Sequence, residues 1–119
     1  MSYRDLITAY ETDVQFPDVS GMEHLDMLMT RSEIAQNESH LSNEERERVL
    51  KADRQLLLQA KQFYKSIQSI ADLASWRRDN NVPVTQWWWY LDIIAQLPER
   101  SELSSRSTSP NLEMSLVGA

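Results

Sequence analysis

The sequence predicts an all-α protein, a small bundle of about four helices built around one long central helix. The chain of 119 residues contains only two glycines, which is common in helical proteins and unusual for a sandwich or a nucleotide-binding fold. Neither Gly nor Pro interrupts residues 43–81, where apolar side chains recur with the period of a helix. The length fits a single domain. It is expected at residues 1–98, with a Ser-rich, disordered tail at residues 99–119.

Two shorter helices are predicted in the N-terminal third of the chain. Ser2 and Asp5 have capping-box spacing, and a first helix is expected from there to about residue 12. Ser20 and Glu23 repeat this spacing and indicate a second helix that ends near residue 36. Between the two helices, Pro17 forces the preceding residue to be extended, so a connector is expected.

The second helix is predicted to have an apolar inner face and a mixed outer face. The inner face is assigned to four side chains: Met22, Leu25, Leu28 and Met29. Met27 and Ile34 are assigned to the opposite side. The three Met residues are either flexible core filler or an adaptable binding surface, since Met is unbranched and polarizable.

The central segment, residues 42–78, is predicted to be one helix. Ser42 and Glu45 form a capping box at its start. Asn80 or Asn81 is expected to take the left-handed conformation that closes it. At 1.5 Å per residue the helix would be roughly 50 Å long, which exceeds what a domain of this size needs.

A heptad pattern defines the inner seam of this central helix. The seam has two rows: Val49, Leu56, Phe63 and Ile70, then Asp53, Ala60, Ile67 and Ala74. All but one of these side chains are apolar, which predicts packing in a bundle core. Asp53 is the exception. It either lies near an open, hydrated bundle end or pairs with an Arg that fixes the register.

The opposite side of the central helix carries a basic face. Its cations are Lys51, Arg54, Lys61 and Lys65, and Leu58 and Trp76 are predicted in the same arc. This face is either a solvated surface or a second contact surface anchored by the two apolar residues.

A fourth helix is predicted at residues 86–97, with Thr85 as its N-cap and the consecutive aromatic residues Trp87, Trp88, Trp89 and Tyr90 inside it. Successive helical residues point about 100° apart, so one neighbour cannot bury all three indoles. The segment is expected to form a subunit or partner interface. The alternatives are enclosure with the indole N–H groups bonded to backbone, and a pocket for an apolar ligand.

Trp76, Arg77 and Arg78 form the one local cluster that combines basic and aromatic side chains. Such a cluster can stack on a base and hold phosphates. The favoured interpretation is a helix C-terminus, with the two guanidinium groups on the last carbonyl oxygens.

No arrangement of residues for catalysis or metal binding is recognised. The chain has no cysteine, and neither His24 nor His40 has a partner at metal-ligand spacing, so both are interpreted as surface or capping residues. No cofactor, secretion signal or membrane-spanning run is expected, and a cytoplasmic location is the default.

Charge is distributed unevenly along the chain. Residues 1–42 contain two basic and eight acidic side chains, whereas residues 43–78 contain eight basic and five acidic ones. Either the acidic N-terminal part lies near the basic helix, or the basic face is free for an acidic partner. The net charge of −6 argues against generic binding to nucleic acid or to anionic membranes.

These observations predict a non-enzymatic helical regulator or adaptor that binds another protein and forms a homodimer. The predicted partner-binding residues are Trp76, Arg77, Trp87, Trp88, Trp89 and Tyr90. The alternative is a nucleic-acid-associated regulator that uses Lys51, Arg54, Lys61, Lys65 and the arginines at positions 77 and 78.

Overall fold

The computed structural model describes residues 3–97, which form helices joined by turns and short connectors and contain no strand. Six α-helices follow in order: α1, Tyr3–Asp13; α2, Gly21–Gln36; α3, Asn43–Leu58; α4, Ala60–Ile67; α5, Leu73–Asn80; α6, Leu91–Ile94. Short 3-10 turns lie at Glu38–His40 and Trp87–Tyr90. The all-α class is confirmed, with six helices in this part of the chain where about four were predicted. The predicted tail, residues 99–119, lies outside the described residues.

The prediction of one unbroken central helix is wrong, because residues 42–78 form most of three helices. The first break is at Gln59, whose φ of −108° and ψ of 20° leave the helical region for a single residue. The second break precedes α5, where the Asp72 carboxylate accepts hydrogen bonds from the backbone N–H groups of Ala74 and Ser75, at 3.0 and 3.2 Å. Asp competes with the helical backbone in this way and favours a new N-terminus over continuation.

The heptad seam survives the first break and fails at the second. Its six residues from 49 to 67 are all buried: Val49, Asp53, Leu56, Ala60, Phe63 and Ile67. Ile70, between α4 and α5, and Ala74, in the first turn of α5, are exposed although the heptad pattern placed both in the core, whereas Leu73 is buried. The register therefore shifts by one residue where Asp72 starts α5.

Local signals at two helix ends are confirmed. At the start of α3 the Ser42 N–H donates to the Glu45 carboxylate at 2.8 Å, and the Glu45 N–H donates to the Ser42 hydroxyl at 3.1 Å. At the end of α5 Asn81 is left-handed, with φ of 51°. These ends depend only on neighbouring residues, which is why sequence spacing finds them.

The core lies where α1 and α3 pack against each other and α1 against α2, and where α4 packs against α2 and α6. The face predicted for α2 is wrong in part. Met27 and Ile34 are buried, whereas Met22 and Met29 are 58% and 40% exposed. Leu28 is buried as predicted.

The buried side of α2 contains two polar residues, His24 and Arg31, at seven-residue spacing. An apolar stripe drawn only through hydrophobic residues therefore follows the wrong side of the helix. Within residues 3–97, no helix combines the length and the apolar character needed to cross a membrane.

Candidate functional site

The tryptophan-rich segment forms a 3-10 turn, Trp87–Tyr90, followed by the single-turn helix α6, in place of the predicted helix over residues 86–97. Trp88 and Trp89 are each only 3% exposed. Their indole N–H groups both donate to the hydroxyl of Ser32 on α2, at 2.9 and 2.7 Å. The structure thus encloses these two indoles, with a serine hydroxyl as acceptor in place of the expected backbone groups.

Trp76 and Arg77 fasten α5 to this aromatic segment. The ring of Trp76 stacks on that of Trp89, with centroids 5.0 Å apart. The Arg77 guanidinium donates to both carboxylate oxygens of Asp92, at 2.6 and 3.1 Å, and to the carbonyl of Trp89 at 2.9 Å. Its carbon lies 4.4 Å from the ring centroid of Tyr90. The hydrogen bond to Asp92 also raises the pKa of Arg77.

The predicted partner-binding set is therefore occupied by contacts within the chain. Of its members, Trp87 and Tyr90 are half-buried, and the Tyr90 hydroxyl donates to the carbonyl of Val82 at 3.0 Å. The expected capping of the α5 carbonyls by Arg77 and Arg78 is not seen. Arg77 holds Asp92, and the exposed Arg78 donates to the Ser75 hydroxyl at 3.1 Å.

Asp53 is the centre of a buried polar node, so the alternative in which it pairs with an Arg is the one observed. Arg31 donates to Asp53 through Nε at 2.9 Å and through Nη2 at 3.0 Å. The Tyr10 hydroxyl donates to the same carboxylate at 2.6 Å. The Arg31 guanidinium also lies 4.1 Å from the ring centroid of Trp88, which links this node to the aromatic segment.

Electrostatics keep the Tyr10 phenol of the node protonated. Burial raises the pKa of the Tyr10 phenol, and the neighbouring Asp53 charge raises it further. The phenol therefore stays protonated and remains a hydrogen-bond donor. The node connects α1, α2 and α3, because Tyr10 on α1 and Arg31 on α2 both donate to Asp53 on α3.

His24 is buried at 1% exposure, so its assignment to the surface is wrong. Its Nε2 lies 3.0 Å from the carbonyl oxygen of Pro17, and a carbonyl only accepts, so Nε2 carries the proton there. The imidazole meets the ring of Phe63 edge-on at 4.6 Å. His40 is exposed and stacks with Tyr3. Across residues 3–97, no three His, Asp or Glu side chains gather closely enough to hold a metal ion.

The basic face of the predicted central helix is present and exposed on α3 and α4. Because the buried row continues across Gln59, the opposite face continues as well. We define the α3–α4 face by its outward residues: Leu50, Lys51, Arg54, Leu58, Lys61 and Lys65, all exposed. Trp76, which was predicted in the same arc, lies on α5 against Trp89 and does not belong to it.

The cations of this face form no ion pair within the described part of the chain, although Lys51 is one of the charges that lower the pKa of Glu11. No carboxylate of residues 3–97 lies within 4.0 Å of Lys51, Arg54, Lys61 or Lys65. The expected contact between the acidic N-terminal part and the basic segment exists, but it uses other cations. Arg48 donates to Glu11 at 2.7 and 2.9 Å, and Arg46 approaches Glu38 at 3.8 Å.

A cleft of about 210 Å³ opens beside the α3–α4 face, between the C-terminal half of α2 and the N-terminal half of α3. It is lined by Arg31, Ile34, Glu38, Leu41, Arg46, Val49 and Leu50. Ile34, Leu41 and Val49 belong to the buried core, whereas Leu50 at the rim is 55% exposed. Sequence reasoning did not identify this cleft, because it depends on how α2 packs on α3.

Comparison with protein-family models, with curated proteins and with solved structures finds no match to this chain.

Proposed function

We propose that this chain is a non-enzymatic helical interaction module whose α3–α4 face binds an acidic segment of a partner protein. The observation that carries the proposal is that the cations of this face are exposed and form no ion pair in the described part of the chain. Lys51, Arg54, Lys61 and Lys65 are exposed and have no carboxylate at ion-pair distance within residues 3–97. They stand among exposed leucines, in a chain whose net charge is −6.

Charge complementarity favours an acidic partner, because opposite potentials steer encounter and fix the orientation of a complex. The exposed leucines favour a protein partner over nucleic acid. Leu50 and Leu58 are 55% and 62% exposed and lie one turn on either side of Arg54. An apolar side chain gains from contact with another apolar side chain and gains little from a phosphate backbone.

The homodimer prediction rested on two premises that differ in this structure. The first premise was an unbroken central helix of roughly 50 Å, whereas the observed α3 ends at residue 58 and α4 ends at residue 67. The second premise was that the tryptophans are uncovered, whereas Trp88 and Trp89 are buried within one chain. The proposed contact is therefore with a different protein, and self-association becomes an outcome that the test below can reveal.

The test pans a library of random 16-residue peptides on the full chain. Selected peptides are then measured by fluorescence anisotropy against the wild type and against Lys61→Glu/Lys65→Glu. The matched control, Arg4→Glu/Arg78→Glu, changes the net charge equally at exposed positions away from the face. Each surface ion pair is worth up to about 1 kcal/mol. The Lys variant is therefore expected to bind selected peptides about tenfold more weakly, and the control to stay within about threefold of the wild type.

Two results would overturn the proposal. One is a selection that yields no acidic peptides, or peptides that bind both variants equally. The other is preferential binding of a 20-base-pair DNA duplex that weakens steeply with salt and is lost in the Lys variant, which would assign the face to nucleic acid. Sedimentation of the wild type and of Lys61→Glu/Lys65→Glu tests for self-association, and a wild-type dimer that the Lys variant splits would assign the face to a second copy and overturn the proposal.

A further inference from the structure

We infer that the cleft beside Leu50 receives one apolar anchor side chain of the acidic segment, and this inference rests on the proposed function. The recognition unit is then an apolar residue at one end followed by carboxylates. The anchor sits beside the N-terminal half of α3, and the carboxylates run along the α3–α4 face towards Lys65.

The size of the cleft suits a single side chain. Its volume of about 210 Å³ is below the range of about 300–1,000 Å³ typical of pockets for whole small molecules. Its floor is made by Ile34, Leu41 and Val49, which are 2–8% exposed. A side chain placed there would meet the hydrophobic core directly, as anchor residues do at the centres of protein interfaces.

The charges at the cleft cancel, so the cleft selects an apolar group. Arg31 lines it, but the Arg31 guanidinium is neutralised by Asp53 at 2.9 Å. At the rim, Arg46 and Glu38 approach each other at 3.8 Å. Selection for negative charge therefore comes from the neighbouring α3–α4 face and not from the cleft.

Leu50 joins the two parts of this surface. It lines the cleft on one side and, on the other, a shallow groove whose wall carries Lys51 and Arg54. The near end of that groove carries Glu44, Glu47 and Arg48, and the charge of Arg48 is paired with Glu11 at 2.7 Å. These carboxylates repel acidic groups at the N-terminal end of α3 and leave the direction towards α4 as the favourable one.

Dimensions define the segment that fits. Along the axis of α3, Arg54 lies about 6 Å and Leu58 about 12 Å from Leu50, at 1.5 Å per residue. Lys61 and Lys65 follow on α4, beyond the break at Gln59. A helical partner that reaches α4 therefore needs more than two turns, with its apolar anchor at one end and its carboxylates on the same side. This pattern corresponds to an amphipathic helix laid along a groove.

The inference is tested with the tightest selected peptide, labelled with fluorescein. Each apolar residue of the peptide is replaced by Ala in turn, and affinity is measured for the wild type, for Leu50→Ser and for Leu97→Ser. Leu97 is the matched control because it is 53% exposed, close to the 55% of Leu50, and lies outside both the cleft and the α3–α4 face. Both substitutions are at exposed positions, so the fold is expected to survive, and circular dichroism checks this.

Loss of the anchor contact is expected to weaken binding about tenfold or more. Leu50→Ser should show this loss and Leu97→Ser should stay within about threefold. One peptide residue should lose its effect when Leu50 is already replaced, since contacting residues couple in a double-mutant cycle. The cleft assignment is overturned if no peptide residue couples to Leu50 while Lys61→Glu/Lys65→Glu still weakens binding. If the Lys variant has no effect, the proposed function itself fails.

Discussion

Replacing Asp53 by Asn should destabilise the fold far more than the loss of an exposed ion pair. The side chains of Asp53 and Arg31 are 8% and 10% exposed, and three hydrogen bonds of 2.6–3.0 Å end on the Asp53 carboxylate. The substitution keeps the shape but leaves a buried guanidinium without its counter-charge. Removing one partner of such a pair typically costs about 3–5 kcal/mol. Because Asn still offers one oxygen as an acceptor, we expect about 3 kcal/mol.

Urea unfolding followed by circular dichroism and tryptophan fluorescence measures this cost. The control is Glu11→Gln, which breaks the Arg48 pair, whose side chains are about one-third exposed. That control is expected to cost less than about 1 kcal/mol.

The double variant Arg31→Met/Asp53→Asn distinguishes two costs: the loss of the Arg31–Asp53 ion pair, and the burial of a guanidinium that has no counter-charge. It removes the buried guanidinium and leaves the Asn side chain to accept from the Tyr10 hydroxyl. We therefore expect it to be more stable than Asp53→Asn alone, since replacing both charges of a buried pair is often nearly neutral. A cost for Asp53→Asn no larger than that of the Glu11→Gln control, or a double variant as unstable as the sum of the two single ones, would refute the reasoning.

Three further outcomes are expected. Gly21→Ala should lower the unfolding free energy by about 1–3 kcal/mol, measured by urea unfolding, because a Cβ at Gly21 would overlap the Ser66 carbonyl oxygen; a stabilised variant would contradict this packing. Ser32→Ala should cost about 2 kcal/mol in the same assay, since it strands two indole N–H groups, and a negligible cost would mean that those groups find other acceptors. Hydrogen bonding by Arg48 lowers the pKa of Glu11 below its ordinary value of 4.5, so this pair stabilises the fold above that pH and loses its effect as the pH falls through the lowered pKa. Unfolding of the wild type and of Glu11→Gln across this pH range should converge at the acid end, and a constant difference would contradict the assignment.

Sequence patterns predicted the features that depend on local chemistry. The helical class, the start of α2 after Ser20, the capping box at Ser42 and the left-handed Asn81 all follow from residues close together in the chain. The buried row from Val49 to Ile67 also follows from its spacing, because α3 and α4 both turn this row towards the core formed with α1, α2 and α6.

Features that depend on tertiary contacts were not accessible in the same way. The heptad count could not show that Asp72 caps a new helix in place of continuing the old one. The stripe of apolar residues on α2 could not show that His24 and Arg31 are buried, because their partners Pro17 and Asp53 come from other elements. The signal that could have found them is spacing: His24 and Arg31 fall on the same helical face as Met27, Leu28 and Ile34.

The candidate site shows the same division. Exposure of Lys51, Arg54, Lys61 and Lys65 followed from helical periodicity. The enclosure of Trp88 and Trp89 did not, because it requires Ser32 to accept two N–H groups from a 3-10 turn more than fifty residues away. In a regular helix the side chains of Trp87, Trp88 and Trp89 would point in three different directions. The observed 3-10 turn instead places the indoles of Trp88 and Trp89 together against α2.

The most direct test of the proposed binding surface is an NMR titration of the ¹⁵N-labelled full chain with the tightest selected acidic peptide. Binding at the α3–α4 face predicts that the largest amide shifts fall between Leu50 and Lys65 and at the cleft residues Ile34 and Leu41. In Lys61→Glu/Lys65→Glu the same shifts should need about tenfold more peptide. Shifts centred on the 3-10 turn Trp87–Tyr90, with the α3–α4 amides unmoved, would contradict the account and return the partner site to the tryptophans.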